Sequence, residues 1–282
     1  MMEPSLAWAT LPVALMVVGV AAGTIPAAMV MSKYGRHLSF IGASVMASSS
    51  ALLGAAAIWH QLFWLYCLAC MSLGMSSTFV QHYRFAAAES VSAELAQQPN
   101  FILAVLAATI SYALMAFVMT ATPVSIHIMD GHSVDSTVIV IQWHIVSMFV
   151  PSLFVGKLIR HSGHRTIMVA GIVALVLSIS VSQISQTVLD YWISLVALGL
   201  GWNFLFVSST ALLITTYQDN EKYRAQAFNE FMVFGFQAIA SLSAGWLLSA
   251  TSWKAVNMMT LPFLGILLAV IWWSARQATR SR

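Results

Sequence analysis

Charge is what this chain lacks. Only 7% of its 282 residues are Asp, Glu, Lys or Arg, against about 25% in a usual water-soluble domain. Too few charges remain to coat a water-facing globule, and with 60% of the residues hydrophobic the solvent they imply is lipid. The net charge of +3 is spread over short connections and forms no basic stripe, which excludes a nucleic-acid binder. Only two cysteines occur, Cys67 and Cys70. They lie inside an apolar run, where two packed thiols on one helical face explain them better than a redox or zinc site. Met1 to Ser5 holds an acid and no base, the wrong flank for a cleaved leader, so the first apolar stretch is expected to stay. No paired acids, metal triad or activated nucleophile stands at catalytic spacing. An enzyme is therefore not expected, and neither a cofactor nor a metal is implied.

What the chain has is long apolar runs. Nine are read as transmembrane helices: Leu6 to Met31, Leu38 to Ile58, Leu62 to Val80 with an extension toward Ala88, Phe101 to Thr120, Val134 to Val155, Thr166 to Ser185, Tyr191 to Tyr217, Ala225 to Ala250 and Ala255 to Ala275. Each spans a hydrocarbon core of about 30 Å as a helix, the open-ended element that satisfies its own backbone in lipid. The fold class expected is an all-α polytopic membrane protein. Eleven of the twelve basic residues fall at alternate ends of these runs, with Lys254 the exception. Basic loops stay in the cytoplasm, so the N-terminus is placed outside and the C-terminus inside, in a bacterial-type inner membrane. Tryptophans near span ends, such as Trp59, Trp64 and Trp272, fit interfacial anchors.

An internal repeat appears when the third run is laid on the seventh. Leu73-Gly74 and the residues to Tyr83 align with Leu198-Gly199 and the residues to Ser208 at constant offset. The basic turns before them also align, Ser32 to His37 over Arg160 to Arg165. Two related halves are a common way to build a transporter.

These turns resemble the signature between the second and third helices of the major facilitator superfamily. Its order is a small residue, three variable positions, an acid, a base, a variable position, glycine and two bases. Ala28, Ser32, Lys33, Gly35, Arg36 and His37 take those places in one copy, and Gly156, Arg160, His161, Gly163, His164 and Arg165 in the other. The acid is missing from both. The resemblance implies a partial two-half bundle, with helices similar to two through four and seven through twelve. Residues 1–94 are expected to form a three-span partial first half, 95–100 a short connector, and 101–282 a six-span second half. It further implies a permease moving a small solute by alternating access, with a transport-incompetent remnant or a membrane partner subunit as the alternative. The partners expected are the bilayer and a solute, with an anionic one and protons as candidates. The oligomeric state is left open.

Several residues are candidates for the solute or proton pathway, each with a plainer alternative. Arg84 can grip a carboxylate or phosphate, or only anchor a helix end by snorkelling. Glu230 can carry a proton from a desolvated site, or sit as a first-turn acid against the helix dipole. His144 can exchange protons near neutral pH or bridge helices. Asn203 can line a polar cavity or hold helices together, and Asn229 stands beside Glu230. Lys33, Gly35, Arg36, Glu89, Gly163 and Arg165 are candidate gating residues, with Glu89 facing the first basic turn as a possible ionic latch. His127, Asp130, His132 and Asp135 offer metal-type donors in an outer loop but match no closed site. Gly19 and Gly23 are read as close helix packing rather than solute contact.

Overall fold

The computed structural model describes residues 8, 10–81, 95, 97–218 and 221–280. Among them the chain is all-helical, as predicted. In chain order, α1 is Leu11–Trp59 and α2 is Phe63–Gln81. Helix α3, Pro99–Pro123, runs on into π-helical turns over Val124–Met129. Then come α4 (Val134–Phe149), α5 (Ser152–Ser162), α6 (His164–Ser182) and α7 (Val188–Ile214). The last are α8 (Lys222–Ala250), α9 (Trp253–Met258) and α10 (Leu261–Arg280).

Among the described residues six helices are long and apolar enough to cross a membrane, and the α4–α5 pair, bent by 41°, makes a seventh. Two shorter apolar stretches, Leu11–Gly23 and Phe63–Phe79, fall in the first and third predicted spans. Two differences from the sequence reading have local causes. The fourth span was expected to end at Thr120, yet the helix continues to Met129. Pro123 has no N–H to offer the carbonyl one turn back, and the chain widens into π turns instead of stopping. Ser32 to His37 was expected as a glycine-turned loop, but the backbone there stays helical within α1. That stretch contains no proline to break it. Its repeat mate does break, because Gly163 takes φ 81° between α5 and α6, a conformation suited to glycine after a helix.

Although α1 is helical throughout, it cannot be straight. Thr78 on α2 donates its hydroxyl to the Val20 carbonyl at 2.9 Å, while Ser72 on the same helix meets Ser50 at 2.7 Å. A straight helix would separate Val20 from Ser50 by about 45 Å at 1.5 Å per residue. The chain therefore reverses between those contacts, in the interval that holds Ser32 to His37. The two parts of α1 then run antiparallel, with α2 packed on both.

The second half is built around α3, whose most apolar window is 72% buried, compared with 22% for Ile41–Trp59. The main core joins Leu103 and Val118 of α3 to Met168 of α6, Leu195 and Leu205 of α7, Leu248 of α8 and Leu267 of α10. Contacts fix the directions. Phe101 stacks on Phe228 and Thr120 meets Ser241, so α3 and α8 run parallel. Ser178 meets Ser194 while His164 meets the Ser208 carbonyl, so α6 and α7 run antiparallel. In lipid this association rests on close packing and interhelical hydrogen bonds more than on apolar burial. Gly171 and Gly201 provide the close approach between α6 and α7. A Cβ on Gly171 would lie 2.9 Å from the Gly201 carbonyl oxygen, and one on Gly201 would lie 2.8 Å from that of Gly171.

Candidate functional site

The repeat read from the sequence is a repeated helix seam. In the first half, a Cβ on Gly74 would lie 1.9 Å from the Met16 carbonyl oxygen, and one turn later Thr78 donates to the Val20 carbonyl. In the second half, a Cβ on Gly199 would lie 2.7 Å from the His144 carbonyl oxygen, and one turn later Asn203 donates to the Met148 carbonyl at 2.6 Å. The interval from Met16 to His144 equals that from Val20 to Met148, and also that from Ser32 to Arg160 in the aligned turns. Gly19 and Gly23 belong to the same seam, since a Cβ on either would press into α2 at Met71 or Thr78.

Asn203 also donates to Ser152 Oγ at 2.6 Å. It thereby ties α7 to both sides of the bend at Pro151, where the helical ladder is interrupted. His144 is buried in the same seam, with Nδ1 2.8 Å from the Leu195 carbonyl. A carbonyl only accepts, so Nδ1 carries the proton, and Nε2 is left without a partner among the described residues.

Beside this seam lies an aromatic cluster that the sequence did not single out. Trp202 and Phe206 of α7 stack with centroids 5.0 Å apart and planes at 11°. Tyr112 of α3 sets its ring edge-on to Trp202 at 5.3 Å, to Phe206 at 5.1 Å and to Phe234 of α8 at 6.0 Å. Phe149 at the end of α4 reaches Trp202 from the other side at 6.3 Å. Four helices thus contribute rings to one packed cluster, with Met115 and Met148 buried against Trp202. The buried Trp202 Nε1 has no partner among the described residues. On α8, Glu230 lies one turn before Phe234 and Gln237 nearly one turn after it, on the same helical face. Glu230 and Asn229 are both buried. Trp202 and Phe206 stand four apart on an apolar helix, the one sequence pattern that could have marked the cluster.

A cavity of about 490 Å³ lies between α3, α8 and α10 and is lined by Ile110, Phe117, Met232, Phe236, Met259 and Phe263 among others. Its wall is almost wholly apolar, so it is poorly equipped to hold a polar solute.

The basic end of the second half is held by Arg165. Its guanidinium donates to Asn100 Oδ1 at 2.8 Å, Ser274 Oγ at 3.1 Å and the Ser274 carbonyl at 3.2 Å. The starts of α3 and α6 are thereby joined to the end of α10 through neutral acceptors. In the first half Lys33 is exposed, its ammonium 5.3 Å from the Tyr34 ring. Gly35 and Arg36 lie within helical α1, and their side-chain positions, like Arg84 and Glu89 altogether, are outside the described residues. At the opposite end, Tyr191 donates to Asp130 Oδ2 at 2.7 Å. His127 and His132 bond the backbone carbonyls of His132 and Gln186. These donors do not converge, and no group of three or more His, Cys, Asp or Glu suited to a metal occurs among the described residues. Lys254, the exception to the charge alternation, donates to the Gln183 and Ile184 carbonyls just past the C-terminus of α6, where the helix dipole favours a cation.

The Major Facilitator Superfamily profile matches residues 101–282. The riboflavin transporter RfnT of Brucella anthropi is 30% identical over 337 residues, covering 92% of this chain and 84% of the relative. Two uncharacterized MFS-type transporters of Bacillus subtilis, YdeG and YddS, are 27% and 26% identical over 57% and 58% of this chain, and 37% and 38% of their own lengths. The chain belongs to the major facilitator superfamily and is an integral membrane protein of transporter type. The alignment with the riboflavin transporter is longer than this 282-residue chain. Positions enough for two spans of about 20 residues each therefore have no counterpart here.

Proposed function

We propose that this protein is a secondary active transporter that carries a planar heteroaromatic solute of the riboflavin type, with the Tyr112–Trp202–Phe206–Phe234 cluster as its stacking surface. The observation that carries this reading is the convergence of those rings from three helices. A flat π system gains most from such a surface, and each ring contact contributes about 0.5–1.5 kcal/mol beyond area burial. The unpaired Trp202 Nε1 and the amide of Gln237, whose Oε1 is buried without a partner among the described residues, supply polar groups at its rim. The similarity to a protein named a riboflavin transporter points the same way.

Transport proceeds by alternating access, the two halves rocking about the site. Glu230, buried one turn from Phe234 within a membrane-spanning helix, is the proposed proton carrier, because an ionisable group at such a place is a candidate for a proton relay. His144 is the second candidate through its unpaired Nε2. Asn229 and Asn203 flank the pathway, the latter as a helix staple. Arg84 is the candidate contact for an anionic group. Lys33, Gly35, Arg36, Glu89, Gly163 and Arg165 border the cytoplasmic mouth of a protein whose N-terminus lies outside and C-terminus inside a bacterial inner membrane.

Uptake of labelled riboflavin into proteoliposomes tests the assignment. Uptake is expected with the unaltered chain, a rise in KM of about tenfold for Trp202→Ala and Phe234→Ala, and near-normal behaviour for Trp202→Phe. Absence of riboflavin uptake, or uptake indifferent to both alanine variants, refutes it. The positions missing relative to the riboflavin transporter favour a second reading, a transport-incompetent remnant or partner subunit, which predicts no flux for any solute in a panel.

A further inference from the structure

The cavity between α3, α8 and α10 has a floor and a rim. Ile110, Leu114 and Phe117 of α3 are buried at the floor, whereas Phe236 and Ile239 of α8 and Phe263 and Ile266 of α10 are exposed at the rim. Helix α10 is held against α3 and α6, in part by the Arg165 clamp, and the space it leaves beside α8 is this cavity. The mouth therefore opens sideways, toward lipid. The cavity also lies on the far side of α8 from the first half. Thr10 packs at the notch of Gly245, nine residues and so about two and a half turns from Phe236, which puts the two on opposite faces of α8.

Its shape and chemistry narrow the occupant. The lining residues extend from Leu106 to Phe117 on α3 and from Met232 to Leu247 on α8, about 17 and 23 Å along the two helices. That is a slot at least as long as one leaflet of hydrocarbon is deep, about 15 Å. None of its lining residues among those described is charged. A volume of about 490 Å³ is far too large to stand empty inside close-packed walls. Water is a poor filling, because a buried water needs about two to four polar partners. A further helix does not fit either, since one about 10 Å across laid along the α3 wall would take up more than twice that volume. What remains is a flexible hydrocarbon chain, and the surrounding bilayer supplies it.

We infer that this cavity is a binding site for an acyl chain of a membrane phospholipid, which enters sideways between α8 and α10 and lies along α3. A chain gains no hydrophobic free energy on leaving the bilayer for an apolar slot. It is retained by dispersion contact with walls that otherwise face a void. Held there, it fills the seam between α8 and α10 as a fixed part of the second half, distinct from the lipid that exchanges over the exposed face of α6. Neither Tyr112 nor Trp202 lines the cavity, so the inference does not depend on the identity of the solute.

Photolabelling of the full chain tests it. The protein is reconstituted in vesicles of phosphatidylethanolamine and phosphatidylglycerol, doped with a phosphatidylethanolamine that carries a diazirine in its acyl chain, then irradiated and mapped by mass spectrometry. Label is expected on the buried residues Ile110, Leu114 and Phe117 at a level equal to or above that on Val173 and Leu177, which are exposed on α6. Ala240→Trp, which fills the slot from the α8 wall, is expected to lose the label on α3 and keep the label on α6. Label confined to exposed positions overturns the inference, as does an α3 label indifferent to Ala240→Trp. If Ala240→Trp does not assemble, Ser243→Phe on the same wall carries the same test.

Discussion

Replacing Asn203 by leucine removes the two hydrogen bonds that brace the bend in α4–α5, those to the Met148 carbonyl and Ser152 Oγ, both 2.6 Å long. Interhelical hydrogen bonds in bilayers average about 0.6 kcal/mol and reach about 1.7. The freed Met148 carbonyl lies in a buried seam beside a proline break, so the cost is set toward the upper end, about 1.5–3 kcal/mol in all. Thr78→Val in the first half is the internal comparison. It removes one interhelical bond from the corresponding place, and the Thr78 hydroxyl already shares itself with the Gly74 carbonyl at 3.2 Å. A loss of about 0.5–1 kcal/mol is expected there. Thermal unfolding of detergent-purified protein, followed by the monodisperse fraction on size exclusion, should place Asn203→Leu clearly below Thr78→Val, and both below the unaltered chain. The double variant should lose the sum of the two, since the seams share no partner. An Asn203→Leu protein as stable as the unaltered chain, or a Thr78→Val protein that loses more, would refute the equivalence of the seams and the bracing role.

Gly74→Leu and Gly199→Leu should abolish recovery of monodisperse protein, because even a Cβ would overlap Met16 or Ser147 and His144; Gly42→Ala and Gly265→Ala, where a Cβ meets nothing within 4 Å, should be tolerated. Arg165→Lys should loosen the basic end nearly as much as Arg165→Ala, since one ammonium cannot reproduce the fork that bonds Asn100 and Ser274; faster proteolysis at the α5–α6 turn is the measurement. Glu230→Gln should abolish uptake driven by a pH gradient and preserve solute exchange at equal concentrations, whereas equal loss of both would assign Glu230 to binding or folding. Thiol labelling from either side of the membrane should find the Lys33 and Arg160 regions on one face, and opposite faces would reverse the charge argument.

The spans were legible because apolar length and basic spacing are one-dimensional signals. The repeat was legible through Gly74 and Gly199, since only a residue without a side chain can meet a carbonyl at that distance. What each seam does was not written in the same way. Thr78 and Asn203 differ in chemistry, and their shared role appears only once both are seen donating to a backbone carbonyl. The aromatic cluster escaped because Tyr112, Trp202 and Phe234 come from distant segments, and nothing in a single helix distinguishes them from rings that anchor at the interface. The continuity of α1 through Ser32 to His37 escaped for a different reason. A charged, glycine-containing stretch reads as a loop, yet its backbone can remain helical while the chain reverses.

The Arg165 clamp bears on how the mouth at the basic end can open. With the beginnings of α3 and α6 and the close of α10 fastened to one guanidinium, that part of the second half should swing as a block in the proposed rocking of the halves. Its acceptors are an amide, a hydroxyl and a carbonyl, so added salt has no counter-charge to screen and the fastening should hold across ionic strengths. In that proposed cycle, aperture changes on this face fall to the boundary with the first half, where no such rivet is seen among the described residues.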